Sequence, residues 1–253
     1  MKHLRLRLFL AVVPLLPLAA RAATISLSPT NDTFTRAAVP VGSYGTAGSA
    51  SVSGPLGVNA AGYTNGVFDS FLRFDTASAV SSLNSPFGGT NWTVTSISLK
   101  VTETGAPANT NFNRGVGAFE IRWMANDGWI EGTGSPSAPG SDGLSYSTQG
   151  GFLGVGDLSL GVFTNGGTDG LRTFTLGMPA GFIADLRAGN QVSFYLTSVD
   201  ATTAFTFDTQ NFGTPSARPL LEITAVPEPG TVSLHALGMI AIGLELRRRR
   251  QVA

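Results

Sequence analysis

The chain has 253 residues, with 16 Lys or Arg against 16 Asp or Glu and no cysteine. Disulfides, thiolate metal sites and cysteine nucleophiles are therefore excluded. Its two histidines, His3 and His235, lie near the ends, so Ser-His-Asp catalysis and imidazole-held zinc are excluded from the long middle stretch.

Along the chain, three pieces separate. Lys2, Arg5 and Arg7 precede an apolar run over 8–18, and Ala20-Arg21-Ala22 follows as a small-x-small site. This is the layout of a secretory signal peptide over 1–22, with cleavage between Ala22 and Ala23. An apolar run of about eleven residues is too short for a ~30 Å hydrocarbon core. Residues 23–225 then form one domain. The stretch 23–226 holds 8 basic and 14 acidic groups, a net −6 that argues against a nucleic-acid partner. Within it, two-residue alternation predicts strands over 25–27, 71–75, 95–102, 119–123, 171–176, 191–196, 205–207 and 221–223. Asn65-Gly66 and Asn165-Gly166 favour tight hairpins. Helix is expected only over 179–188, with Gly189 as its stop. Residues 132–156 and 159–170 are rich in Gly and Ser and read as long loops. Short strands with almost no helix predict an all-β, jelly-roll-type two-sheet sandwich.

The last piece, 226–253, opens with Val226-Pro227-Glu228-Pro229, which cannot be helical. Seventeen mostly apolar residues follow, reaching about 25 Å as a helix, a marginal span. The chain then runs through Arg247, Arg248, Arg249 and Arg250, which the positive-inside rule keeps cytoplasmic. Pro227-Glu228-Pro229, the apolar stretch and the arginine run together resemble the PEP-CTERM sorting signal of Gram-negative bacteria. That resemblance implies an exosortase partner, transient or retained anchoring in the inner membrane, and export to the cell surface or an exopolysaccharide matrix. His235 and Glu245 depart from the uninterrupted apolar run of that family.

A second resemblance covers most of 24–225. Asp32-Thr33-Phe34-Thr35, Tyr44-Gly45, Phe71-Leu72-Arg73-Phe74-Asp75, Trp129-Ile130-Glu131-Gly132, Ser193-Phe194-Tyr195-Leu196 and Pro219-Leu220-Leu221-Glu222-Ile223 occur in that order. The order is similar to DNRLRE-type domains, grouped with carbohydrate-binding module family 96. It implies a β-sandwich with an alginate-like polysaccharide as ligand class. Phe207-Asp208-Thr209-Gln210-Asn211 stands where that family carries an Arg-Glu pair.

The densest polar-aromatic stretch is 122–131. Sugar rings stack their C–H faces on aromatic planes, and their hydroxyls need bidentate partners. Arg122, Asn126, Asp127, Trp129 and Glu131 supply both and form the candidate ligand set. The plainer reading puts Trp123 on the core face of Phe119 and Ile121, Trp129 over the sandwich edge and Asp127 in a turn. Asp127 with Glu131, or Asp69 with Asp75, could serve a glycan hydrolase or lyase. Nothing marks a raised-pKa acid beside an ionised one, so no enzyme is expected. Asp32, Asp69, Asp142, Asp157, Asp169 and Asp208 are oxygen donors for calcium, but no DxDxDG loop is present and no cofactor is expected. The sequence thus points to an exported polysaccharide-binding protein without catalysis, with a ligand-free structural spacer of the matrix as the alternative.

Overall fold

The computed structural model describes residues 21–59, 61–104, 115–228, 238 and 242–243. Strand takes 43% and helix 14%, which makes the fold all-β, an antiparallel two-sheet sandwich. The strands are β1 (Ala23–Leu27), β2 (Asn31–Arg36), β3 (Ser49–Ser53), β4 (Phe68–Asp75), β5 (Trp92–Glu103), β6 (Gly117–Met124), β7 (Leu158–Asn165), β8 (Gly170–Thr175), β9 (Gln191–Ser198), β10 (Ala204–Asp208) and β11 (Leu220–Pro227). Two helices accompany them, α1 (Ala77–Phe87) and α2 (Ala180–Ala188).

One sheet runs β1-β11-β5-β8 and the other β2-β4-β9-β6-β7. A β3-β10 ribbon joins them, touching β5 through Phe207 opposite Glu103 and β4 through Ser53 opposite Phe68. Alternation sends Ile97, Leu99, Leu221 and Ile223 inward from the first sheet. Leu72, Phe74, Phe119, Ile121, Phe194 and Leu196 meet them from the second. Each such side chain contributes about 1.5–3 kcal/mol by leaving water.

Both helices close on this core. α1 buries Ala79, Leu83 and Phe87, and α2 buries Phe182 and Leu186. Phe182 meets Phe194 edge-on, with ring centroids 5.6 Å apart. Gly189 ends α2 at φ +74, the left-handed conformation that the sequence assigns to a glycine stop.

Three strands and a helix depart from the sequence reading. β2 has one apolar residue, Phe34, yet Asp32, Thr33 and Thr35 are also buried, with Asp32 Oδ2 and Thr35 Oγ1 bonded to the remote Gln210 and Gln149. β3 is built of small residues. β7 occupies a stretch expected to be loop, since pairing with β6 outweighs its glycine content. α1 includes Pro86, whose position near the C-terminal end leaves the earlier turns intact. Asn165-Gly166 does not close a hairpin, because β7 pairs with β6 and β8 with β5. The chain instead crosses between sheets there. Asn165 accepts from Gly167 N at 3.1 Å and donates to Gly115 O at 3.0 Å.

Candidate functional site

The excursion over 125–157 is a cap laid on the outer face of the second sheet. That face cannot stay wet, because Phe71 on β4 and Met124 on β6 project from it. Trp129 and Leu144 from the cap complete a small second core with them, flanked by Phe152, Leu153 and Tyr195. β4 is consequently buried on both faces over most of its length.

Arg73, on the same outer face, pins the cap. Its Nη1 donates to Asp127 O at 2.7 Å and Trp129 O at 2.8 Å, while Nε and Nη2 donate to Asn31 Oδ1 at 3.1 and 2.5 Å. The guanidinium lies 4.6 Å from the Trp129 ring centroid. Trp129 is 1% exposed, and its Nε1 donates to Ser193 Oγ at 3.0 Å. Its faces are taken by protein, so it offers no surface plane to a sugar.

A second junction forms where three loops meet the start of β2. Glu131 Oε1 accepts from Asp32 N at 3.0 Å and Gln210 Nε2 at 2.7 Å, and its Oε2 accepts from Asn31 Nδ2 at 3.0 Å. Asp32 Oδ2 accepts from Gln210 N at 2.6 Å, and Asn211 Nδ2 donates to Gly45 O at 2.8 Å. The segments of Asp32, Gly45 and Glu131 thus converge with that of Gln210. Gly45 is required by close approach, since a Cβ there would lie 2.2 Å from Gly132 O and 2.6 Å from Glu131 O. Gly45→Ala is expected to lower Tm by about 4–8 °C, read by thermal unfolding, because backbone has to move to admit the methyl group.

The five candidate ligand residues do not share one surface. Asp127 and Trp129 meet at Arg73, and Glu131 belongs to the loop junction. Asn126 is exposed and accepts from Gly128 N at 2.9 Å in a local turn. Arg122, on the same outer face, is held apart from Arg73 by Glu120 at 3.3 Å and Asp157 O at 3.0 Å. Burial pushes the Asp127 carboxyl up, against the Ser193 hydroxyl and, more weakly, Arg73. Trp123 continues the Phe119–Ile121 core face, as the plainer reading had it. The six calcium candidates are dispersed, and among the described residues no three His, Cys, Asp or Glu gather at one point. Asp142 binds Thr133 and Ser43, and Asp157 accepts from Ala125 N and Gly154 N.

The first sheet, by contrast, keeps a broad uncovered face. Pairing places Thr24, Thr224 and Ser96 in one row and Ser26, Glu222, Ser98 and Thr175 in the next. Lys100 stands beside Thr173, and Thr102 beside Leu171. Strands stand ~4.8 Å apart, so the hydroxyls form a regular array. Its one ion pair, Lys100 Nζ to Glu222 Oε1 at 2.6 Å, is self-neutralising. In the sequence these residues are only the polar side of each alternating strand. Their alternation was visible, but the pairing that aligns them was not.

Both termini of the domain leave one edge. Ala23 opens β1 opposite Ala225 of β11, and Ala22 just before it is exposed. Pro227 pairs with Trp92 at the end of β11, and Glu228 N donates to Asn91 O at 3.0 Å. Arg187 lies 3.9 Å from Glu228, an exposed pair of small energetic weight. Pro229 and the run Arg247, Arg248, Arg249 and Arg250 lie outside the described residues, as do residues 1–20. Among the described residues no helix is long and apolar enough to cross a membrane.

Fold and site together define a capped antiparallel β-sandwich with an uncovered hydroxyl face. No family model matches the chain, and no curated protein matches it.

Proposed function

We propose that the chain is an exported, exosortase-sorted protein of the Gram-negative cell surface or matrix whose sandwich binds polysaccharide without catalysis. The contact surface in this reading is the hydroxyl face of β1, β11, β5 and β8, and the observation that carries it is the cross-strand array itself. Eight Ser or Thr hydroxyls there surround a single neutralised ion pair. In a domain of net −6, such a face suits a neutral glycan better than a polyanion. The commitment of Glu131 to three N–H donors supports a role outside catalysis. The common edge for Ala23 and Pro227 supports tethering, since a tail anchored there leaves the rest of the sandwich projecting.

Affinity electrophoresis of the exported protein through gels containing neutral or acidic polysaccharide tests this reading. Retardation by a neutral polymer is expected, and the pair Ser98→Arg and Thr173→Arg should abolish it without moving the unfolding midpoint. Free migration in every polymer would sink the binding claim. The structural spacer is the second reading, favoured by the burial of all three tryptophans, Trp92, Trp123 and Trp129.

A further inference from the structure

The loop junction carries a group that none of this uses. Asp32 is 1% exposed, and its Oδ1 has no hydrogen-bond partner among the described residues. Its Oδ2 and the Glu131 carboxylate lean on the same residue, Gln210, through the backbone N–H and the side-chain amide respectively. Two carboxyl groups are therefore neighbours in a nearly dry site. The charged groups facing Asp32 are Glu131 from the cap and Arg218 from the segment before β11. Glu131 accepts from three N–H donors, whereas Asp32 Oδ2 accepts only from Gln210 N and its Oδ1 from none among the described residues.

We propose that Asp32 holds a proton and that this proton makes the junction an acid-closed latch, fastening the cap and the loop after β10 onto β2. Ionising Asp32 sets two negative carboxylates side by side and loosens what Gln210 ties together. Burial, with the charge of Glu131 added, pushes the Asp32 carboxyl up to about 7, against the Gln210 N–H and Arg218. The sign follows from linkage. A folded value above the unfolded 3.8 means the folded state binds the extra proton, so this contribution is full below about pH 4. It is lost as pH rises toward about 7 and is flat beyond. The unfolding constant should rise roughly tenfold per pH unit across that window, or about 10³-fold in all. Asp208, pushed up to about 6 chiefly by burial, and Asp69 and Glu103, raised for the same first cause, slope the same way. The Asp32 share must therefore be isolated.

Asp32→Asn isolates it, because the amide keeps an acceptor for Gln210 N and cannot ionise. Urea unfolding of the full exported chain from pH 5 to 9 should show the wild type losing stability relative to Asp32→Asn up to about pH 7. Protection from exchange at amides 125–134 and 208–212, corrected for the intrinsic pH dependence, should fall in the wild type alone over the same range. A pH-independent difference between the two proteins overturns the latch. Should the variant fail to fold, carboxyl-carbon NMR of the wild type decides: titration of Asp32 near 7 supports the proposal and titration near 4 overturns it. Calcium chloride that raises the wild-type midpoint at pH 8 but not that of Asp32→Asn would also overturn it, by assigning Oδ1 to a cation.

Discussion

Trp129→Ala is expected to destabilise the domain by about 3–5 kcal/mol, the largest effect of any single truncation in the cap. The indole is wholly enclosed, packed near Phe71 with ring centroids 6.1 Å apart and under Arg73, and its removal leaves a cavity lined by Met124 and Leu144. It also removes the Nε1 donor from Ser193 Oγ, leaving that hydroxyl only its bond to Asp127. Urea unfolding reads the loss, and hydrogen exchange should locate it in 125–157. Trp129→Phe keeps most of the volume and gives up mainly the Nε1 donor, at about 1 kcal/mol. If Trp129→Ala leaves stability unchanged, the ring is not structural and the cap is not closed by it.

Arg73→Ala should cost nearly as much, about 3–5 kcal/mol, but for a polar reason. The guanidinium serves two carbonyls and one amide oxygen at once, and each carbonyl left dry without a donor costs about 1–3 kcal/mol. Arg73→Lys should recover only part of this, because one ammonium cannot reproduce a planar fork that spans Asp127, Trp129 and Asn31. Chemical unfolding of the three proteins orders them wild type, then Lys, then Ala. Equal stability of the Lys variant and the wild type would show that charge alone holds the cap.

The sandwich was legible wherever alternation was clean. In β6, β9, β11 and the 97–101 part of β5 the core-facing apolar residues fall on every second position, and a two-residue period admits only one buried face. β2 was not legible, because its burial rests on hydrogen bonds from remote segments, such as Thr35 Oγ1 to Gln149 Oε1 at 2.5 Å. The cap did leave a signal. In Phe71-Leu72-Arg73-Phe74, two successive apolar residues put Phe71 on the face opposite Leu72, where an uncovered strand would carry a polar side chain. Something had to cover it, and Trp129 does. The candidate set around Trp129 mixes residues that share a short segment but not a surface, since β6 ends at Met124 and each later residue is held by a different partner: Asp127 and Trp129 by Arg73, Glu131 by Asp32 and Gln210. The Asp32–Glu131–Gln210 junction joins positions 99, 79 and 178 residues apart, a proximity that only strand pairing creates. The motif segments named its members without showing that they meet.

Backbone amide NMR of the protein, with and without a neutral polysaccharide fragment, separates the hydroxyl face from the cap as the ligand surface. Binding through the hydroxyl face predicts shifts concentrated at Ser96, Ser98, Thr173, Thr175 and Thr224, with 126–131 unmoved. Shifts concentrated at Asn126, Asp127, Trp129 and Glu131, with β5 and β8 unmoved, would contradict it.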